Sequence, residues 1–272
     1  MKEPELVFYT GAKLLEGPVW YPAKNLLLFV SIFDRLIYLF NLSDGSIKSY
    51  KTEGPVGCAF LENDYTILEA ELSGIYRIDV HTGKRNFVIQ LNDNTHLRYN
   101  DGKMDPCGRL LVGTMEYSQP SPGEACLYSF DGTICKKIIQ ETTISNGIAF
   151  SKDETTMYFV DTPTKKVCQY EYDKNTGDAK FQRPIIEITG SGFPDGICLD
   201  KEGMLWVAEW GGGEICRWNC TTGKKLDTIK LPCKNVSSCC LVGENEQYLY
   251  VTTGKQNINN ESVAGGLFRV KL

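Results

Sequence analysis

Short apolar runs recur along the chain at 26–30, 109–112, 156–160, 204–208 and 248–251. Each is four or five residues long and rich in β-branched or aromatic side chains, which predicts strands rather than helices. A second signature, a strand ending in a polar turn, appears at 36–41, 74–79, 126–131, 167–173, 214–219 and 266–270. Five of these copies run into a glycine turn, and Gly45, Gly83, Gly132, Gly177 and Gly223 lie 38, 49, 45 and 46 residues apart. No segment holds an apolar stripe of helical period across three turns. A period of about 45 residues containing about four strands is the size of a propeller blade. Six such periods fill the 272 residues. The expected fold is therefore all-β: a six-bladed β-propeller with four strands per blade, one domain over 1–272. Leu6-Val7-Phe8-Tyr9 stands ahead of the first full period, and it is expected to complete the last blade, because joining the chain ends removes open strand edges. A β-sandwich has no reason to repeat one strand-turn signature six times.

Composition narrows the function classes. Hydrophobic residues make up 42% and charged residues 23%, ordinary values for a chain that folds on its own. Twenty-nine basic residues face 34 acidic ones, for a net charge of -5, and no basic stripe could follow a phosphate backbone. Nucleic acid is excluded as an expected partner. No run approaches the ~20 apolar residues that span a bilayer, and the N-terminal Met1-Lys2-Glu3-Pro4-Glu5 is acidic. The reading is a cytoplasmic protein without membrane contact, a monomer or weak homodimer. The eleven cysteines are odd in number, lack a C-x-x-C pair, and include Cys58, Cys107, Cys126, Cys168, Cys198 and Cys216 inside or beside apolar runs. They are expected to be reduced thiols that pack as small hydrophobes, not a disulfide or zinc-thiolate framework. Only His81 and His96 are present, which excludes a His-rich metal site.

The candidate chemistry sits in repeated acid-glycine and amide-glycine segments. Glu16-Gly17-Pro18-Val19, Glu53-Gly54-Pro55-Val56, Asn100-Asp101-Gly102, Ser145-Asn146-Gly147 and Pro194-Asp195-Gly196 occupy similar places in the repeat, read as lying just ahead of the strands that line the channel. Equivalent blade positions share one ring, so Glu16, Asn100, Asn146 and Asp195 are expected to converge. Two carboxylates and two amides form a hard oxygen set suited to Ca²⁺, Mg²⁺ or Mn²⁺, and the charges of Glu16 and Asp195 balance one divalent ion. Taken singly, Asn-Gly and Asp-Gly are also ordinary turn dipeptides, and Glu16 could be a solvated acid. Arg98 offers a rigid fork for hydroxyls or a carboxylate, or a salt bridge to Asp101 or Asp105. Trp210-Gly211-Gly212-Gly213 reads as a turn between strands of the fifth blade, with a substrate-lining role as the alternative, and His96 as a surface-loop residue, with the pocket wall as the alternative. No Ser-His-Asp arrangement is evident.

At these residues the sequence resembles a known family. Glu16-Gly17-Pro18-Val19-Trp20, Arg98-Tyr99-Asn100-Asp101-Gly102-Lys103-Met104-Asp105-Pro106, Gly113-Thr114-Met115, Ser145-Asn146-Gly147-Ile148-Ala149-Phe150 and Pro194-Asp195-Gly196 are similar to motifs of the regucalcin (senescence marker protein) and gluconolactonase family, which includes luciferin-regenerating enzyme. The resemblance implies a six-bladed propeller with one divalent metal, Ca²⁺ foremost with Mg²⁺, Mn²⁺ or Zn²⁺ as alternatives, held by Glu16, Asn146 and Asp195. It also implies hydrolysis of a small sugar lactone, with Arg98 and Asn100 at the substrate and Asp195 as general base. Asp101 is the alternative base, since coordination by a cation weakens Asp195 as a proton acceptor. Members close to regucalcin carry an acidic substrate contact a few residues after Gly-Thr-Met. Here Glu116 follows immediately and Ser118 fills the later slot, so Glu116 is the candidate contact, with Ser118 left open as the alternative. The competing readings are a non-catalytic calcium-binding or regulatory propeller and a related metal-dependent hydrolase with another substrate.

Overall fold

The computed structural model describes residues 2–255 and 261–272. Its strands appear where the short apolar runs predict them. After β1 (Glu5–Tyr9), the strands β2 (Leu15–Tyr21), β3 (Leu26–Ser31), β4 (Leu36–Asn41) and β5 (Ile47–Lys51) pair in order as an antiparallel sheet. The same pattern follows in β6 (Val56–Asn63), β7 (Thr66–Glu71), β8 (Gly74–Asp79) and β9 (Arg85–Ile89). It recurs in β10 (Leu97–Met104), β11 (Leu110–Glu116), β12 (Ala125–Phe130) and β13 (Cys135–Thr142), and in β14 (Ser145–Phe150), β15 (Thr156–Asp161), β16 (Lys166–Asp173) and β17 (Asp178–Glu187). The remaining strands are β18 (Phe193–Leu199), β19 (Met204–Trp210), β20 (Glu214–Asn219), β21 (Lys225–Lys230), β22 (Asn235–Val242), β23 (Tyr248–Gly254) and β24 (Gly266–Lys271). With β1 they make one eight-stranded sheet, whose two four-stranded runs meet through a single pair, Trp210 with Asn235.

The innermost strands touch in the cyclic order β2, β6, β10, β14, β18, β22 and back to β2, which makes the fold propeller-like. The N-terminal strand does pair with the C-terminal one: Glu5 faces Arg269 and Leu6 faces Phe268 across β1 and β24. The apolar side chains predicted on these strands are buried between neighbouring sheets rather than within one. Val30, Ile37 and Leu39 meet Val56, Ala59 and Ile67, and Leu15, Phe29 and Tyr38 meet Tyr250 and Leu267 at the ring's closure. Sheet-to-sheet burial of this kind supplies most of the folding free energy, at roughly 25 cal/mol per Å² of apolar surface removed from water.

All eleven cysteines are free thiols. Most are buried as expected, but Cys107 is exposed in the turn from β10 to β11 and does not serve the core. No helix among the described residues is long and apolar enough to cross a membrane.

One buried ionic cluster escaped the sequence reading. Arg85 reaches Glu69 at 2.6 Å and Glu71 at 2.9 Å, and both carboxylates are fully enclosed. Glu71 also accepts the backbone N–H groups of Glu53 and Gly54, each at 3.0 Å, so the cluster pins the crossing into β6. Burial pushes the Glu69 carboxyl up to about 7 despite Arg85. Because its folded pKa lies above the unfolded one, Glu69 favours the fold fully at acid pH, and that contribution is lost as pH rises through about 7. Arg85→Met strands two enclosed acids and is expected to cost about 3–5 kcal/mol at pH 7.5. Urea unfolding checks this; the deficit should shrink toward pH 5.5 as Glu69 takes up a proton, and a pH-independent deficit would contradict it.

Candidate active site

All six innermost strands slip register at the same level, between Glu16 and Val19, Val56 and Cys58, Tyr99 and Gly102, Asn146 and Ile148, Pro194 and Ile197, and Val236 and Ser238. A β-bulge adds a residue and re-aims the side chain beside it. Here the bulges put Glu16, Asn100, Asn146 and Asp195 in the lining of one cavity of about 250 Å³. The expected convergence is therefore present, with one correction of local structure. Apart from Glu53-Gly54, the acid-glycine and amide-glycine pairs do not precede the inner strands but lie within them. Asn146-Gly147 and Asp195-Gly196 lie within β14 and β18.

Glycine follows them because the strands crowd the axis. A Cβ on Gly147 would stand 2.4 Å from the Asp195 carbonyl oxygen, and one on Gly196 would stand 2.1 Å from Ser238 Oγ. Gly147→Ala is thus expected to push apart the strands that carry Asn146 and Asp195, losing about 1–3 kcal/mol of stability. Thermal unfolding at one denaturant concentration tests it, and a neutral substitution would contradict the contact. Glu53-Gly54 proves to be a false member of the repeat: the Glu53 side chain is 87% exposed, and Val56 stands at the bulge of β6.

The polar floor is knit together. Arg98 Nη1 donates to Asn100 Oδ1 at 2.7 Å and to Tyr99 O at 2.9 Å. Asn100 Nδ2 donates to Asn146 Oδ1 at 2.7 Å and to Ser145 O at 3.0 Å. Asn146 Nδ2 donates to Thr162 Oγ1 at 2.8 Å, and that hydroxyl donates to Pro194 O at 2.9 Å. The chain of bonds fixes which end of each amide faces inward. Thr162, from the short 3-10 turn Thr162–Thr164, is a positioning residue with no sequence signal, since it belongs to no repeated motif.

Electrostatics at this floor are unbalanced. Burial raises the Glu16 carboxyl well above the usual range, and the charges of Asp195 and Asp101 raise it further. Burial, then the Asp101 charge, raises Asp195 in the same way. Asp101 is pushed up to about 6 by burial. Burial brings the Arg98 guanidinium down to about 10. Two atoms of cavity-lining residues, Asp195 Oδ1 and Arg98 Nε, are buried without a hydrogen-bond partner. An orphaned carboxylate oxygen beside a second enclosed acid and an amide oxygen is a hard donor set, and it fits a divalent cation.

Other candidates distribute differently. Arg98 makes neither of the alternative salt bridges: Asp105 is held by Arg109 Nε at 2.7 Å and by the Tyr172 hydroxyl at 2.6 Å. Glu116 is not part of the lining. Met115 on β11 lines the cavity while its neighbour Glu116, the last residue of that strand, does not, as strand alternation requires, and Tyr117 and Ser118 just beyond the strand join the lining. Asp101 also lies outside the lining, with its Oδ1 accepting from Gly102 N at 2.7 Å. His96 is exposed in its loop, as read. Trp210 does more than lead into a turn: it closes β19 and lines the cavity together with Leu14, Phe33, Pro120 and Ile144. Apart from Trp210, these apolar residues come from scattered loops and strand ends, where no motif marks them.

A second ligand-bearing group among the described residues, Glu209, Glu214 and Cys216, has its atoms within 4.8 Å of one another. The Lys225 ammonium already serves it, at 3.3 Å from Glu209 and 3.2 Å from Glu214.

The comparisons agree with this fold. The sequence profile of the SMP-30/Gluconolactonase/LRE-like region matches residues 14–255. Regucalcin from Danio rerio is 33% identical over 253 residues, covering 92% of this chain and 85% of that protein. A luciferin-regenerating enzyme structure superposes with a TM-score of 0.92 at 26% identity, covering 100% of this chain and 96% of its own. The structure of a calcium-binding protein, regucalcin, from Agrobacterium tumefaciens gives a TM-score of 0.92 at 27% identity, covering 99% and 93%. With its bulged inner strands, its ring of oxygen donors and this likeness along nearly its whole length, the chain belongs to the SMP-30/gluconolactonase/LRE-like family.

Proposed function

We propose that this protein is a divalent-metal-dependent hydrolase of small cyclic esters, a lactonase. The observation that carries the reading is the orphaned Asp195 Oδ1 in a cavity floor shared with Glu16 and Asn146. Glu16, Asn146 and Asp195 would hold the ion, with Ca²⁺ the first candidate because the donors are hard oxygens and a structural relative is a calcium-binding protein. Bound there, a divalent ion supplies Lewis-acid polarisation of the lactone carbonyl. The protein's own groups do the rest. Asp195 accepts the proton of the attacking water through the carboxylate oxygen that does not hold the ion, and as a carboxylate in the lining it is better situated than Asp101. Arg98 Nε, enclosed and unpartnered, donates to an oxygen of the substrate. Asn100 keeps Arg98 and Asn146 in register through its two amide ends. Desolvation by the surrounding wall strengthens each of these contacts.

The same reading takes the architecture as six blades. Six separate buried apolar clusters, from Cys198 with Val236 to Leu111 with Ile148, fill the spaces between successive four-stranded runs. A purely ion-binding role would leave Arg98 Nε and the aromatic wall without a use, which favours catalysis over a calcium-binding platform.

Chelator-stripped protein is expected to lose lactone hydrolysis, and one of Ca²⁺, Mg²⁺, Mn²⁺ or Zn²⁺ should restore it. Hydrolysis unchanged without metal, or absent with all four ions, would overturn the proposal.

A further inference from the structure

Half of the side chains lining the cavity are apolar or aromatic, among them Leu14, Phe33, Met115, Tyr117, Ile144 and Trp210. The polar half has little left to offer a ligand. Asn100, Asn146 and Thr162 spend their hydrogen-bonding groups on one another and on the backbone oxygens of Ser145 and Pro194. Glu16 and Asp195 face the proposed ion site. Arg98 Nε and Nη2 and the hydroxyls of Ser118 and Tyr117 remain, all toward one part of the wall, and the Arg98 guanidinium lies 5.5 Å over the Phe33 ring. A polyhydroxylated ring would leave the hydroxyls that face the apolar half of this wall unpaired, and each buried, unpaired hydroxyl weakens binding by about tenfold.

We infer that the preferred substrate is a lactone whose ring carries an apolar or aromatic body, packed on Phe33, Met115, Ile144 and Trp210, with its ester oxygen toward Arg98. This rests on the lactonase reading and narrows it. Water adds to the acyl carbon, the acyl carbon–oxygen bond breaks, and the ring oxygen leaves with a proton, giving a hydroxy acid. One apolar contact surface the size of a side chain is worth about 10- to 200-fold in discrimination between substrates.

The experiment compares kcat/KM for 3,4-dihydrocoumarin and glucono-δ-lactone on metal-loaded protein, each corrected for spontaneous hydrolysis. The benzo-fused lactone is expected to lead by at least about tenfold. Met115→Gln keeps the volume but adds an amide to the wall and should cut that ratio by about tenfold, whereas Met115→Leu should restore it. Metal-dependent hydrolysis of both lactones with glucono-δ-lactone equal or ahead overturns this inference and leaves the lactonase reading standing. If neither lactone is hydrolysed with any ion, the lactonase reading falls, and calorimetric titration with the corresponding lactams decides the pocket chemistry. Tighter binding of the benzo-fused lactam upholds the apolar preference. Tighter binding of gluconolactam, or binding of neither, overturns it.

Discussion

Asp195→Asn is expected to lower lactone hydrolysis by about 10²-fold or more at saturating metal, because the amide keeps an oxygen donor but cannot take a proton from water. Metal affinity should fall less steeply than activity. The two must be read together, since a variant that merely loses the ion would look equally inactive. Occupancy can be followed by Mn²⁺ paramagnetic resonance while rates are measured on the same sample. Asp195 is 6% exposed and its Oδ1 has no hydrogen-bond partner, so the substitution removes no hydrogen bond of that atom. A fully occupied Asp195→Asn protein with near-normal rates would remove Asp195 as base and turn attention to Asp101.

Glu16→Gln should have the larger effect on the ion itself. It deletes one of two lining carboxylates in a region where charges are poorly screened, and affinity is expected to fall by about 10²-fold. Asn100→Ala should cost less than about tenfold, because the Asn100 oxygen already accepts from Arg98 at 2.7 Å and its loss removes no charge. Calorimetric titration of both variants with Ca²⁺ measures the difference. Equal losses would contradict the division between ion-holding and positioning roles.

The repeat was legible because β-structure writes itself in short apolar runs. The runs at 26–30, 156–160 and 248–251 became β3, β15 and β23, and the expected pairing of the chain ends occurred in β1 and β24. The convergence of Glu16, Asn100, Asn146 and Asp195 was legible for the same reason, since a shared place in a repeat is a shared level in the ring. What stayed hidden was geometry below the level of the repeat. Glu53-Gly54-Pro55-Val56 copies the letters of Glu16-Gly17-Pro18-Val19, yet it is Val56, not Glu53, that opens the bulge. Glu116 follows Gly113-Thr114-Met115 closely enough to suggest a substrate contact, but alternation along β11 decides which neighbour faces the cavity, and it selects Met115. Thr162, Phe33 and Ile144 reach the site from turns and strand ends that carry no repeated pattern. The enclosed cluster of Arg85, Glu69 and Glu71 was likewise invisible, because nothing in single acidic letters distinguishes a buried carboxylate from a solvated one.

The ion position is the claim on which the chemistry depends. Crystals soaked in Mn²⁺ and measured at its absorption edge should give one dominant anomalous peak between Glu16, Asn146 and Asp195. A dominant peak at Glu209, Glu214 and Cys216, or no peak at the cavity floor at saturating Mn²⁺, would contradict the account.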